Sequence, residues 1–276
     1  MSAWHSRTPE KTQQGKGTRV NTEPSPFRWT SASRSHTGLV RQVNEDACLE
    51  QPDRGLWAVA DGMGGHALGE FASRVAVRSL MDLPAAESLT QYIADARERL
   101  QGANRRLRAE AELRDVPIIG TTIAALLASG RQCACLWAGD SRIYLYRAGR
   151  LKALTRDHSQ VEAARSQRPP NCDDTLHRPP ANVITRAVGA ADTLEIDAAT
   201  VEVIDGDVFL LCSDGLSNEV SEVAMEQALL PGNCRQASQA LLELALQRGG
   251  HDNITVVVVR AEDLNSPDRT AMHPAL

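Results

Sequence analysis

The chain has 276 residues, 42% of them hydrophobic and 24% charged, with a formal net charge of −5 at pH 7. This length suits one sizeable domain, and the absence of a basic surplus argues against general nucleic-acid binding. No apolar run approaches the roughly 20 residues of a membrane span and none resembles a signal peptide, so the sequence predicts a cytoplasmic protein.

Composition changes along the chain predict its boundaries. Residues 1–28 lack hydrophobic periodicity and are rich in Ser, Thr, Pro, Gln and basic residues, which predicts a disordered arm. The folded domain is expected over residues 29–262, followed by a flexible tail over residues 263–276. Residues 167–182 contain four prolines and little apolar content. A long loop of this kind is often functional, and we expect a flap over about residues 158–185.

Two apolar segments, residues 47–51 and 56–60, flank the turn sequence Pro52-Asp53-Arg54-Gly55 and predict a β-hairpin. Pairing the two strands symmetrically about this turn places Asp46 opposite Asp61. Like charges that face each other across a strand pair are destabilising. This register therefore favours a bound cation between the two carboxylates.

The remaining elements are predicted from hydrophobic periodicity and from turn residues. Helices are expected over residues 69–83, 88–113 (with Ser88 as N-cap), 155–166, 222–230 and 236–247. Strands are expected over residues 121–128, 133–138, 143–146 and 254–259, with a second hairpin of residues 200–204 and 208–212 around Asp205-Gly206. Several strands are apolar on both faces, which indicates sheets that are covered on both sides. Together with the hairpins, this predicts an α+β fold of two packed antiparallel sheets with helices outside each.

Five aspartates lie at the ends of predicted apolar strands: Asp46, Asp61, Asp140, Asp214 and Asp252. Carboxylates gathered at one sheet edge raise one another's pKa values unless a cation neutralises them. Oxygen ligands of this kind select Mg²⁺ or Mn²⁺ over zinc, and a pair of such ions can clamp an in-line displacement at phosphorus. Arg41 precedes the acidic pair Glu45-Asp46, where its guanidinium could bind phosphoryl oxygens. The alternative for Arg41 is an ordinary solvated arginine.

At these residues the sequence resembles the bacterial metal-dependent serine/threonine protein phosphatases of the PPM (type-2C) family. The resemblance covers about residues 30–260, and its motifs follow the order of the family. They are Arg41-x-x-Asn44-Glu45-Asp46, Asp61-Gly62-Met63-Gly64-Gly65-His66, Gly120-Thr121-Thr122, Gly139-Asp140-Ser141-Arg142, Leu154-Thr155-x-Asp157-His158-Ser159, Ser213-Asp214-Gly215-Leu216 and Asp252-Asn253-Ile254-Thr255. The resemblance implies a four-layer α/β/β/α sandwich.

The resemblance also implies a set of metal ligands. Asp61 would bridge two Mn²⁺ or Mg²⁺ ions, with the carbonyl of Gly62 on one of them. Asp214 and Asp252 would hold the other ion. Asp140, together with Asp214, would form a weaker third metal site.

Other residues receive supporting roles from the resemblance. Glu45 and Asp46 would position metal-bound waters, Asn253 would support the site, and Arg41 would bind the substrate phosphate. Met63 occupies the position at which eukaryotic relatives carry a histidine proposed as the general acid. The general acid is therefore unassigned, and a metal-bound water is our preferred candidate.

These inferences predict a phosphatase that hydrolyses phosphoserine and phosphothreonine in proteins by direct attack of a metal-bound hydroxide. We expect a monomer that opposes a serine/threonine kinase. The alternatives are a catalytically silent phosphoprotein-binding module and a phosphatase that acts on an anti-sigma antagonist. The compact form and the opening at residues 33–38 also resemble phosphatases of type VI secretion.

Overall fold

The computed structural model describes residues 25–64, 67–84, 87–167, 183–230 and 232–266. Its strands are β1 (Phe27–His36), β2 (Asp46–Gln51), β3 (Leu56–Met63), β4 (Gly120–Thr121), β5 (Ile123–Ser129), β6 (Gln132–Ala138), β7 (Arg142–Arg147), β8 (Arg150–Ala153), β9 (Asp197–Glu202), β10 (Val208–Cys212) and β11 (Ile254–Asp263). Its α-helices are α1 (Ala67–Met81), α2 (Leu89–Leu113), α3 (Gln160–Gln167), α4 (Asp214–Ser217), α5 (Glu222–Leu229) and α6 (Cys234–Gln247). Most of the predicted arm, tail and flap lies outside the described residues.

The strands form two antiparallel sheets. The first sheet has the order β1-β11-β10-β7-β8, and the second has the order β2-β3-β5-β6-β9, with β4 paired to β3. Helices α1 and α2 cover the outer face of the second sheet, and α5 and α6 cover that of the first. The predicted α+β sandwich of two antiparallel sheets between helices is confirmed.

Successive side chains of the central strands point alternately into the layer between the sheets and towards the outer helices, so both faces of these strands are apolar. Phe209 and Leu211 of β10 point into the layer between the sheets, whereas Leu210 packs under α5 and α6. On β3, Trp57 and Val59 likewise point into the inter-sheet layer. Burying each large apolar side chain contributes about 1.5–3 kcal/mol. The sandwich is therefore stabilised by three apolar layers: one between the sheets and one under each helical layer.

The first predicted hairpin and its register are confirmed. A 3₁₀ turn, Pro52–Arg54, joins β2 to β3, and Gly55 ends it in the left-handed conformation at φ 61°. The paired positions run from Asp46 opposite Asp61 to Gln51 opposite Leu56. The N-cap of α2 is confirmed as well, because the side chain of Ser88 accepts a hydrogen bond from the Gln91 backbone N–H.

The second predicted hairpin is wrong. Strand β9 pairs with β6 in the second sheet, whereas β10 pairs with β7 and β11 in the first. The Asp205-Gly206 connection therefore passes from one sheet to the other. Every residue of β10 is buried, which is typical of a central strand, while β9 is an exposed edge strand. The turn residues alone do not distinguish a hairpin from such a crossing.

Other elements differ from the expectations as well. Strand β1, which the sequence analysis did not predict, begins at Phe27 and pairs along its whole length with β11, which ends at Asp263. Helix α3 begins at Gln160 rather than at residue 155. The preceding residues are tied to the first and second sheets instead, because the Thr155 hydroxyl accepts from Ile143 N and the carbonyl of Arg156 accepts from Trp137 Nε1.

Candidate metal centre and active site

The strand pairing brings the predicted acidic residues to one end of the sandwich. Asp46 and Asp61 face each other on β2 and β3, and Asp140 lies in the turn after β6. From the other sheet, Asp214 opens α4 directly after β10, and Asp252 lies just before β11. The carboxylate of Asp61 interacts electrostatically with all four of the others. The five aspartates therefore converge from both sheets.

Burial and mutual repulsion make these carboxylates unusual acids. Burial, then the charges of Asp46 and Asp214, raise the pKa of Asp61 well above its usual range. Burial raises the pKa of Asp46 to about 7, and burial followed by the charge of Asp214 raises that of Asp140 to about 7. Burial, followed by the charge of Asp252, raises the pKa of Asp214. A divalent cation would remove this repulsion.

Two buried carboxylate oxygens fit a metal ion. Asp46 Oδ2 accepts from the Ser213 hydroxyl at 2.8 Å, and Asp214 Oδ2 accepts from Asn218 Nδ2 at 3.1 Å. The other oxygen of each aspartate is buried without a hydrogen-bond partner among the described residues, which is costly unless a cation is bound. Within the same residues, no three His, Cys, Asp or Glu side chains form a ready-made metal site. The site therefore fits a metal ion through its aspartate oxygens, and above all through the Oδ1 atoms of Asp46 and Asp214, which lack a partner in the described part of the chain.

Asn253 ties the loop of residues 37–45 to the start of β11. Its amide nitrogen donates to the carbonyls of Thr37 and Val43, both at 2.9 Å, and its Oδ1 accepts from Glu45 N at 2.7 Å. Only 4% of the residue is exposed. Asn253 thus holds in place the loop that carries Arg41 and leads into β2.

Hydroxyl groups that the sequence analysis left without a role hold the aspartates in place. The hydroxyl of Thr122 accepts from Asp61 N at 2.9 Å and lies 2.7 Å from the Ser141 hydroxyl, next to Asp140. The hydroxyl of Ser213 accepts from Thr255 N at 2.9 Å while it donates to Asp46. Thr122 and Ser213 stand in the motifs Gly120-Thr121-Thr122 and Ser213-Asp214-Gly215-Leu216, but the sequence does not indicate which groups their hydroxyls bind.

Gly62 lies where the backbone of β3 passes close to α1. A side chain at this position would collide with the carbonyl of Gly69 and with the backbone of Glu45. Gly62 N also donates to the carbonyl of Glu45 at 3.2 Å. Glycine is therefore required for the close approach of these three segments.

Arg41 stands at the rim of the acidic cluster. Its Nη2 donates to Asp252 Oδ2 at 2.8 Å, and half of the side chain is exposed. This hydrogen bond, with the charges of Asp252, Glu45 and Asp61, raises the pKa of the guanidinium above its usual value. Arg41 is therefore a charged donor beside the predicted ligands rather than an isolated surface residue.

Comparison with protein families now decides the classification. A family model described as "Protein phosphatase 2C" matches residues 32–241. The chain belongs to this family. The predicted membership among the bacterial PPM phosphatases is confirmed.

Curated relatives in the protein phosphatase 2C family carry serine/threonine phosphatase names. The chain is 36% identical over 233 residues to the serine/threonine protein phosphatase PstP of Mycobacterium tuberculosis, covering 84% of this chain but 45% of PstP. It is also 36% identical over 251 residues to the serine/threonine phosphatase stp of Listeria monocytogenes, covering 86% of this chain and 98% of that protein. The chain thus spans about half of PstP and nearly all of stp.

Solved structures with this fold agree. One is described as PppA, a key regulatory component of T6SS in Pseudomonas aeruginosa, with 47% identity, a TM-score of 0.79 and coverage of 84% of this chain and 97% of that chain. Another is the catalytic domain of PstP in complex with two manganese ions, with 36% identity, a TM-score of 0.73 and coverage of 86% and 100%. A two-metal site therefore exists in a relative of this chain. None of the helices in the described ranges has the length and apolar character needed to span a bilayer.

Proposed function

We propose that the protein is a metal-dependent phosphatase that hydrolyses phosphoserine and phosphothreonine in proteins. The observation that carries this proposal is the convergence of five aspartates from two sheets, two of them with a buried carboxylate oxygen that lacks a partner among the described residues. The names of PstP and stp support the substrate class. The PstP structure with two manganese ions supports the number of metals.

Individual residues of the cluster have separate tasks in this proposal. Asp61, the carbonyl of Gly62, Asp214 and Asp252 would hold two Mn²⁺ or Mg²⁺ ions, and Asp140 would hold a weaker third together with Asp214. When bound, these ions neutralise phosphoryl charge and lower the pKa of a ligated water.

Arg41 would bind the phosphate oxygens of the substrate. Its guanidinium would exchange Asp252 for the phosphoryl group, which offers it a bidentate contact. Glu45 and Asp46 would orient water, with Asp46 held by the Ser213 hydroxyl. The general acid is a water in this proposal, since Met63 has no titratable proton.

Water, rather than a side chain, would attack phosphorus, so no covalent phosphoenzyme would accumulate. Cys212 is the cysteine closest in sequence to Asp214, and it is fully buried. Burial raises the pKa of its thiol to about 12. A thiol that stays protonated at neutral pH is a poor nucleophile, which supports attack by water.

The biological setting is proposed from similarity. The likeness to PppA supports a role in type VI secretion. In that setting the phosphatase would oppose a serine/threonine kinase. A phosphatase acting on an anti-sigma antagonist would use the same site on another substrate. The silent binding module is the less favoured alternative, because every predicted metal ligand is present in the chain. The monomeric state and the cytoplasmic location remain predictions.

The test combines metal dependence with a matched variant. The protein with Mn²⁺ should hydrolyse p-nitrophenyl phosphate and a phosphothreonine peptide, and excess chelator should abolish both activities. Asp61→Asn keeps the shape of the side chain but removes its charge, so activity should fall at least about 10³-fold with the fold retained. Full turnover in chelator, or an Asp61→Asn variant as active as the native protein, would refute the proposal.

A further inference from the structure

Outside the acidic cluster, helices α1 and α2 enclose a basic groove of about 510 Å³ on the outer face of the second sheet. The charged side chains that line it are Arg78 of α1 and Asp95, Glu98, Arg99, Arg105 and Arg106 of α2. The groove therefore has a net charge of +2 in a chain whose net charge is −5. Its charge is opposite to that of the whole molecule.

The four groove arginines lack the ion pairs that neighbouring arginines make. Arg74 of α1 pairs with Glu70, Arg108 of α2 pairs with Asp192, and Arg114, just after α2, pairs with Glu110. Within the described ranges, none of the groove arginines forms an ion pair with a carboxylate. All four residues are exposed. The guanidinium of Arg106 also lies over the ring of Phe71, 5.7 Å from its centroid, which leaves its charge without a carboxylate partner among the described residues.

A glycine inside α2 keeps the groove open. Gly102 lies between Arg99 and Arg106 along one face of the helix, and an added Cβ would meet only Arg105 Nη2, at 3.9 Å. Glycine in a helix interior costs about 0.5–1 kcal/mol relative to alanine. Gly102 lines the groove, where a longer side chain would occupy the space between α1 and α2. This position accounts for a glycine that destabilises the helix.

The chain offers no acidic segment of its own to fill the groove. Outside the described residues, residues 1–24 contain four basic and two acidic residues, while residues 168–182 and 267–276 each contain equal numbers of arginines and aspartates. The composition of these segments favours a ligand from another molecule.

We propose that this groove binds an acidic segment of the phosphoprotein substrate, at a distance from the phosphorylated residue. This inference rests on the proposed function and adds a substrate feature, an acidic segment, that the metal site does not contact. Gly69 at the start of α1 touches Gly62 and Glu45, and Arg78 lies nine residues further along the helix, about 14 Å by helical rise. An extended peptide covers that distance with roughly four or five residues.

The experiment compares two phosphothreonine peptides, one with four glutamates beginning about six residues from the phosphothreonine and one with glutamines there. The native protein should show a kcat/KM about five- to tenfold higher for the acidic peptide, falling with added salt. In Arg99→Gln/Arg106→Gln this preference should disappear, through KM, while turnover of p-nitrophenyl phosphate is unchanged. The control Arg150→Gln/Lys152→Gln removes two exposed charges from β8, on the other sheet, and should keep the preference.

A second pair of variants tests the groove without altering charge. Gly102→Phe should fill it and abolish the preference, whereas Gly102→Ala should retain it. Fluorescence anisotropy with the unphosphorylated acidic peptide measures binding independently of catalysis, so a failure of the proposed function does not hide the result. Equal kcat/KM for both peptides, or a preference that survives Arg99→Gln/Arg106→Gln, would overturn the inference. Binding to phosphatidylglycerol vesicles without binding to the peptide would overturn it too.

Discussion

Replacing Asn253 with alanine tests how far one buried amide holds the loop that carries Arg41. The substitution removes three hydrogen bonds, to Thr37 O, Val43 O and Glu45 N, at distances of 2.7–2.9 Å. Each contributes about 1 kcal/mol net, so the expected loss of unfolding free energy is about 3 kcal/mol. In a domain of this size, that loss lowers the Tm by about 6–12 °C.

Loss of the tether should also affect substrate binding. Without the amide of residue 253, residues 37–45 keep the bond from Leu39 N to the carbonyl of Gly250 but lose the three bonds that Asn253 makes, so Arg41 is held less firmly beside Asp252. We expect KM for p-nitrophenyl phosphate to rise about tenfold in Asn253→Ala, with a smaller change in kcat, since phosphate binding is impaired more than the chemistry. Urea unfolding in chelator and kinetics in Mn²⁺ measure the two effects separately.

A matched substitution separates the tether from general destabilisation. Asn233 caps α6 through a capping box, remote in the fold from residues 37–45. Asn233→Ala should cost about 1 kcal/mol of stability and leave KM unchanged. If the unfolding free energy of Asn253→Ala lies within about 0.5 kcal/mol of the native value, Asn253 does not hold the loop. If the variant loses stability but keeps the native KM, the loop does not position Arg41 for substrate binding.

Three further predictions concern the acidic cluster. Arg41→Ala should raise KM about tenfold or more with kcat largely retained, and Arg41→Lys should recover part of the loss, because lysine keeps the charge without the fork. Ser213→Ala removes bonds to Asp46 and Thr255 and should cost about 2 kcal/mol and weaken Mn²⁺ binding in a calorimetric titration. Burial raises the pKa values of Asp46 and Asp140 from 3.8 to about 7. Between those two pKa values the folded, metal-free protein binds more protons than the unfolded chain, so its unfolding free energy should fall as pH rises from about 4 to 7. A rise in unfolding free energy over that range would contradict this prediction.

Elements whose local residue pattern and chemistry agree could be predicted from the sequence. The turn Pro52-Asp53-Arg54-Gly55 fixes the register of its hairpin, so the opposition of Asp46 and Asp61 follows from counting residues. The N-cap of α2 follows from Ser88 in the same way. A cluster of strand-end carboxylates is equally visible, because an acid directly after an apolar run must lie at a sheet edge.

Which strands pair with each other could not be predicted from the sequence. Strand β1 is only partly buried and carries serines and arginines, so its pairing with β11 depends on the packing of the first sheet rather than on its own pattern. Strand β9 leaves the expected hairpin for the same reason. The roles of Thr122 and Ser213 were hidden too, since a hydroxyl finds partners in many local conformations, and only the tertiary structure selects one.

The acidic cluster belongs to neither sheet alone. Asp46 and Asp61 come from the second sheet, whereas Asp214 and Asp252 follow or precede strands of the first. The Ser213 hydroxyl donates a hydrogen bond of 2.8 Å from the first sheet to Asp46 of the second sheet. The same hydroxyl accepts a hydrogen bond from Thr255 N at the start of β11. The relative position of the two ligand pairs is therefore set by how the sheets pack. Because protein interiors are close-packed and do not deform continuously, the inter-sheet layer is part of the machinery that holds the predicted metal ligands in place.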